Sequence, residues 1–260
     1  MGFTPCLAAP DIWLRPNEKL DCYEYVATYV DDLCICMEDP AAFIQEVKDR
    51  FDLEFKGVGA IKYHLGMDIG RDTNGVMFIQ TRKYVEKMSD NYERMFGSKP
   101  KHVYTSPLDP NDHTETDTSD FLDSVGIEQY QSLIGSMQWA VTIGRFDIAP
   151  ALTTMSSFRV DPRFGHLERC KRMVGYLTQF RAARIRIRPD EPDLSDVPLD
   201  QYDWMNFIYG DVREVVPSNA PKPRDCYVLT TYYVDANLMH DVMTGRSMVG
   251  ILHLVNQTKS

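Results

Sequence analysis

Residues 23–37 read Tyr-Glu-Tyr-Val-Ala-Thr-Tyr-Val-Asp-Asp-Leu-Cys-Ile-Cys-Met, and this stretch decides how the rest of the chain is understood. Tyr23 to Val30 and Leu33 to Met37 are two short runs rich in aromatic and β-branched residues, separated by Asp31-Asp32. That pattern predicts a β-hairpin with acids at its turn. A tight turn built for stability would carry Asn-Gly or Asp-Gly, because its backbone needs positive φ. Two adjacent carboxylates are instead hard oxygen donors, suited to Mg²⁺ and to neutralising phosphate charge. An ordinary solvated turn, with Asp as a turn former, fits the same spacing.

Outward from the hairpin, Asp39 as N-cap and Pro40 at the first helical position open a helix with Phe43, Ile44, Val47 and Phe51 on one face. Tyr63 to Ile69 and Val76 to Gln80 read as strands around a turn at Asn74-Gly75. Thr81 to Arg94 is a second helix, with Tyr84, Val85, Met88 and Tyr92 in one stripe. Three further helical segments follow, 127–143, 148–158 and 166–180, separated by Gly144 and Pro162. A strand-like run, Cys226 to Val234, closes on Asp235, and Met248 to Val255 would pair with it as a hairpin.

The 260 residues carry 28 basic and 38 acidic side chains, net −10, which as a whole-chain figure argues against nucleic-acid binding. The charge is uneven, however. Nine basic residues (Arg159, Arg163, Arg169, Lys171, Arg172, Arg181, Arg184, Arg186, Arg188) stand against Asp161 and Glu168 in one stretch, a local +7 that leaves −17 elsewhere. Two acidic stretches balance it: 109–123 holds six acids and no Lys or Arg, and 190–225 holds nine acids against three bases. Such blocks read as solvated loops or tethers. No apolar run approaches the roughly 18 residues of a membrane span. Residues 1–10 show no secretory pattern, and the six scattered cysteines read as reduced thiols of a soluble intracellular protein. Cys34 and Cys36 share a strand face and read as packing; Trp13, Trp139 and Trp204 read as core or interface residues.

Tyr29-Val30-Asp31-Asp32-Leu33 resembles the Y-V-D-D box of reverse transcriptases, and an ordered series of segments extends the likeness. Gly2-Phe3 with Pro10-Asp11-Ile12-Trp13 is similar to the segment ahead of that box in copia-type (Pseudoviridae) LTR retrotransposon polyproteins. His64-Leu65-Gly66-Met67 resembles the family's F-L-G-I primer-grip segment, and Gln80 to Met88 its Q-x-x-Y helix. Tyr130 to Trp139 resembles Y-R-x-x-I-G-S-L-x-Y, and Gly144 to Ile148 stands where the family has T-R-P-D-I. His166, Lys171, Arg172 and Tyr176-Leu177 match its P-x-x-x-H-x-x-x-x-K-R-x-x-x-Y-L helix. Asp235-Ala236-Asn237 followed by Arg246-Ser247 and Gly250 is similar to the D-A-D-W and R-S-x-x-G opening of the ribonuclease H domain.

The resemblance implies an α+β fold in four parts: 1–70 the C-terminal half of a reverse-transcriptase palm, 71–188 a mainly helical thumb and connection, 189–225 an acidic tether, and 226–260 the start of a ribonuclease H-like domain with its strand hairpin. It implies an RNA-directed DNA polymerase using two Mg²⁺ ions, with Asp31 and Asp32 as catalytic metal ligands and Asp235 as the first ribonuclease H carboxylate. Leu65 and Gly66 would lie at the primer, and Arg169, Lys171 and Arg172 on duplex phosphates. Implied partners are the RNA/DNA template-primer, dNTP and the rest of the polyprotein or a second chain, with no membrane, in a cytoplasmic virus-like particle or the nucleus. The upstream palm aspartate has no counterpart among Asp11, Glu18, Asp21 and Glu24, so the chain reads as an internal slice, inactive alone. The alternative is a non-catalytic nucleic-acid-binding remnant that keeps only the basic segment.

Overall fold

The structure, a computed structural model, describes residues 1–101, 103–187, 208, 210, 215, 217–222, 224, 230–237 and 240–255, with only the backbone of 230, 231 and 233. Arg188, Trp204, Cys226 and most of the acidic stretch 189–225 lie outside the described residues. The fold is mixed α+β, with antiparallel sheets and, among the described residues, five α-helices. The chain divides into two compact units, Met1–Ala60 with Pro192–Leu229 and Ile61–Glu191 with Thr230–Ser260.

The first unit is a four-stranded antiparallel sheet, β1 (Thr4–Pro5), β2 (Ile12–Asn17), β3 (Cys22–Tyr29) and β4 (Asp32–Cys36), in sequential order. The expected hairpin is β3–β4. Its register, with Val26 opposite Ile35 and Trp13, puts these three residues on one face, since strand side chains alternate with period two. Helix α1 (Pro40–Phe51) covers that face through buried Phe43 and Val47, joined by Phe3, Met37 and Phe55. The helix starts where expected: the Asp39 carboxylate accepts the Ala42 N–H at 2.9 Å, satisfying an amide that has no partner in the first turn. Phe51, expected on the apolar face, is instead 56% exposed, being the last helical residue before left-handed Asp52. Buried Glu24 is held by the Arg15 guanidinium (2.6 and 2.8 Å) and by the Asn17 amide (3.1 Å). At the β2–β3 turn, Arg224 pairs with Glu18 (2.5 Å) and Asp21 (3.1 Å).

The second unit combines the sheet β5 (Tyr63–His64), β6 (Met67–Arg71), β7 (Met77–Gln80) and β8 (Arg184–Ile187) with helices α2 (Arg82–Phe96), α3 (Ser124–Thr142), α4 (Ala149–Ser156) and α5 (Phe164–Gln179). The stretch 63–69, expected as one strand, breaks at Leu65-Gly66 into β5 and β6. The β6–β7 turn closes because Asp72 accepts the N–H groups of Asn74 (2.9 Å) and Val76 (3.0 Å), with Gly75 at φ 78°. Within the stretch 71–188, expected to be mainly helical, the end of the basic segment forms β8, with Ile185 opposite Ile79. Arg184-Ile185-Arg186-Ile187 alternates with period two, which is a strand signal.

The core of this unit is built where helical spacing places it. Val85, Met88 and Tyr92 of α2, Tyr130, Leu133, Ile134 and Met137 of α3, Leu152 and Met155 of α4, and Cys170, Met173, Val174 and Leu177 of α5 are all buried together. The Tyr130 hydroxyl finds a partner inside, donating to the Met155 carbonyl at 2.5 Å. Finally, β9 (Thr230–Asn237) and β10 (Met248–Val255) pair antiparallel as a two-stranded ribbon, the expected terminal hairpin.

Gly175 of α5 lies against Lys101 and Tyr104, and a Cβ there would sit 2.3 Å from the Lys101 carbonyl oxygen. Backbone cannot give as a flexible side chain can. Gly175→Ala should therefore cost about 1–3 kcal/mol, read as a lower urea midpoint of the helical signal at 222 nm.

Candidate active site

Tyr29 pairs with Asp32, so only Val30 and Asp31 connect β3 to β4. A two-residue connection of this kind needs positive φ, and Val30 supplies it at 54° while standing 92% exposed. For a β-branched residue that conformation is a true outlier, costing on the order of 1–3 kcal/mol. The strain fixes where the acids stand. Asp31 occupies the turn itself, and Asp32 opens β4 on the face opposite α1, with Tyr25, Tyr29, Cys34 and Cys36. Both aspartates are exposed, and among the described residues neither carboxylate has a hydrogen-bond or ion-pair partner. Cys34 and Cys36 share this outer face rather than the core; burial nonetheless pushes the half-buried Cys34 thiol up.

Leu65 and Gly66 form a second two-residue turn, joining His64 to Met67 with φ of 51° and 90°. Both values are positive, the type I′ pattern of tight hairpins. The turn rests on α3: a Cβ on Gly66 would lie 3.3 Å from Trp139 Nε1 and 3.5 Å from Ile143 Cδ1. Trp139, read as a core or interface residue, lies against this turn and is 42% exposed; Trp13 is 37% exposed.

The basic segment is largely spoken for by acids of its own chain. Arg169 grips Asp112 through two bonds (2.7 and 2.8 Å) and Asp117 through a third (2.5 Å). Arg172 pairs with Asp109 at 2.8 Å, donates to Ser106, and lies over the Tyr104 ring at 4.8 Å. Lys171 reaches Glu168 at 2.7 Å and the Phe96 ring at 4.5 Å, while Arg186 meets Asp72 at 2.5 Å. Acidic residues 109–117 thus form a strap along α5, not a free tether. Burial pushes the Asp117 carboxyl up, but the Ser119 hydroxyl and amide and the Arg169 guanidinium outweigh it and hold Asp117 down to about 2. Buried His166 completes the fastening: Nδ1 accepts the Arg163 N–H at 3.1 Å, so Nε2 carries the proton toward the Thr114 carbonyl at 3.0 Å. Burial lowers its affinity for a second proton and keeps it neutral.

Two features escaped the sequence reading. Asp123, counted among the solvated acids, caps α3 by accepting the Gly126 N–H at 2.8 Å. Arg145, 2% exposed, forks onto Asp147 (2.9 and 2.7 Å) and donates to the Phe180 carbonyl (3.2 Å), tying the end of α3 to the end of α5. Asp235 is exposed on β9 opposite Gly250. Among the described residues no three or more His, Cys, Asp or Glu converge as a metal cluster, and no helix is long and apolar enough to cross a membrane.

The chain is 27% identical over 174 residues to a putative transposon Ty5-1 protein of Saccharomyces cerevisiae, covering 63% of this chain and 52% of that protein. It is also 27% identical to retrovirus-related Pol polyproteins from transposon RE1 of Arabidopsis thaliana, covering 59% of this chain and 10% of that one, and from transposon TNT 1-94 of Nicotiana tabacum, covering 57% and 11%. Its homologues are thus transposon proteins of the retrovirus-related Pol type, at modest identity, and it spans about half of the first and about a tenth of the others. No protein-family model matches the chain, and no solved structure matches it.

Val30→Asn, which accepts positive φ more readily, should stabilise the first unit by up to about 1 kcal/mol, seen as a raised urea midpoint. The strap makes a pH prediction. A carboxyl held near 2 when folded and near its ordinary value when unfolded contributes roughly 2 kcal/mol above pH 5, lost as pH falls through that interval. Wild type should therefore exceed Asp117→Asn by that amount in urea titrations at pH 7, with about half the difference gone by pH 3.

Proposed function

We propose that this chain is a portion of a copia-type retrotransposon Pol polyprotein comprising the rear of a reverse-transcriptase palm, its thumb and connection, and the opening ribbon of a ribonuclease H-like domain. The observation that carries the proposal is the strained Val30 turn, which presents exposed Asp31 and Asp32 with no side-chain partner among the described residues. A chain that needed only a hairpin would relieve φ 54° with Gly or Asn, so the strain fits a turn kept for what it displays. The identity to transposon Pol polyproteins supports the same reading.

Asp31 and Asp32 fit Mg²⁺ by chemistry: adjacent, exposed, hard oxygen donors with no competing cation among the described residues. They do not make a whole two-metal site, because no third carboxylate joins them among the described residues. In the intact polymerase the ions would supply Lewis-acid stabilisation of the transferring phosphoryl group and activation of the primer hydroxyl. The work of this chain would be to hold two carboxylates at fixed separation on a sheet stiffened by α1, and to place the Leu65-Gly66 turn as a rigid shelf on α3. Asp235 would be the first carboxylate of a second nuclease site. The non-catalytic alternative, a binding module acting through Arg169 and Arg172, is disfavoured by the ion pairs that already engage both guanidiniums.

Two measurements test the proposal together. Mn²⁺, as a paramagnetic stand-in for Mg²⁺, should broaden the amides of residues 29–33 at submillimolar to millimolar concentration, and Asp31→Asn with Asp32→Asn should abolish the effect. Primer extension on poly(A)/oligo(dT) by the purified chain should give no product. Robust synthesis lost in Asp31→Asn would overturn the incompleteness of the site; no local broadening would overturn the assignment of the acids as metal ligands.

A further inference from the structure

The cations of the basic segment differ in what they rest on. Arg169, Arg172 and Arg186 each meet a carboxylate, whereas Arg184, exposed at the head of β8, lies over the Phe78 ring with its guanidinium carbon 5.0 Å from the centroid. Among the described residues no carboxylate pairs with Arg184. An aromatic ring orients a guanidinium through its quadrupole but leaves the positive charge whole. The ring itself leans over β6, where a Cβ on Gly70 would come within 2.8 Å of Phe78 Cζ, so the stack needs the bare backbone at 70.

The strand register sets Arg184 in one row with Gln80, Asp68 and Tyr63, and Phe78 in the next row of the same face. Ile69, Ile79 and Ile185 take the other face, which turns to the end of α3: a Cβ on Gly144 would meet Ile185 Cδ1 at 3.0 Å. Tyr63 is 52% exposed and carries a second cation, Lys83, whose Nζ lies 5.0 Å from the ring and 2.9 Å from Asp68. The row thus joins an unneutralised guanidinium, an amide and an accessible aromatic ring.

We propose that this sheet face grips the sugar-phosphate backbone of a nucleic acid, with Arg184 binding phosphate and Tyr63 stacking on a neighbouring base. The grip rests on the polymerase reading and deepens it, adding a contact surface to the Leu65-Gly66 turn. A planar fork of donors matches two phosphate oxygens. Arg184 can offer that fork without giving up a partner, whereas Arg169 and Arg172 must first release Asp112, Asp117 and Asp109. The exposed ring favours nucleic acid over an acidic protein segment, because bases stack on it and carboxylates do not.

Fluorescence anisotropy of the full chain with a short labelled RNA/DNA hybrid duplex, without divalent metal, tests the grip. Wild type should bind, with log Kd rising linearly in log NaCl between about 50 and 200 mM. Arg184→Gln should weaken binding about five- to tenfold and lower that slope by about 1. Phe78→Leu keeps the charge but loosens it, so binding should weaken about two- to fourfold with the slope unchanged, while the far-UV circular dichroism stays that of wild type. Lys171→Gln removes an equal charge already paired with Glu168 and should leave Kd within about twofold at an unchanged slope. Asp31→Asn with Asp32→Asn should bind as wild type, which separates this surface from the metal ligands. A wild type that fails to bind the hybrid while Mn²⁺ still broadens residues 29–33 overturns the grip and leaves the polymerase reading standing. Equal effects of Arg184→Gln and Lys171→Gln also overturn it, as does displacement of the hybrid by poly-glutamate at equal charge, which would give the face to an acidic protein segment.

Discussion

Because only Val30 and Asp31 join β3 to β4, the register of the first sheet and the position of its two acids are a single constraint. A slip by one residue would send every side chain of a strand to the other face. Val26 and Ile35 would then leave Phe43 and Val47, and Asp32 would turn into the core. The apolar contact with α1 and the outward carboxylate are therefore enforced together. Strain at Val30 is tolerated since relaxing it by a longer loop would free the register that both depend on.

The second unit solves a different problem, a helix too basic for a chain of net charge −10. Arg169 and Arg172 lie on α5 beside side chains that are wholly buried, so their charges cannot all reach water cheaply. The strap answers this with Asp109, Asp112 and Asp117, and its backbone is pinned by His166 and by Ser119, whose hydroxyl accepts the Gly165 N–H at 2.9 Å. Half-buried ion pairs of this geometry add specificity more than net stability: removing one partner leaves a desolvated charge, so the strap is hard to lift even where each pair contributes little. This is why a positive segment need not be a nucleic-acid surface. The same rule accounts for buried Arg145, whose guanidinium is held by the exposed carboxylate of Asp147 at the opposite end of α5.

Local structure was legible where period and caps agree. The β3–β4 hairpin, the Asp39-Pro40 helix start, the stripes of α2 and α3, and the terminal ribbon all follow from spacing that one residue type satisfies best. What stayed hidden depends on partners distant in sequence. Whether Asp112 is a solvated acid or an Arg169 ligand turns on a contact 57 residues away, and the composition of 109–123 is the same in either case. The Leu65-Gly66 break was invisible because Leu rarely takes positive φ, so nothing in an apolar run announces a turn. The β8 strand was readable in the Arg-Ile-Arg-Ile alternation, but four consecutive residues of a basic block looked like charge before they looked like period.

The carboxylate pair and the ribbon share a property that separates them from the packed core. Each is geometrically fixed by its own unit and chemically unfinished within it. Among the described residues Asp31 and Asp32 have no counter-ion, and the ribbon displays an exposed apolar face. In a self-sufficient domain, unpaired acids and exposed apolar strands are costs that a single substitution would remove. Fixing them rigidly, at the expense of backbone strain in one case and of exposed β-branched surface in the other, makes physical sense only if what completes each one comes from outside the unit that displays it. For the acids the completing groups would be metal ions and further carboxylates. For the ribbon they must be apolar, because the face that displays Val234, Val249 and Ile251 carries no charge to pair.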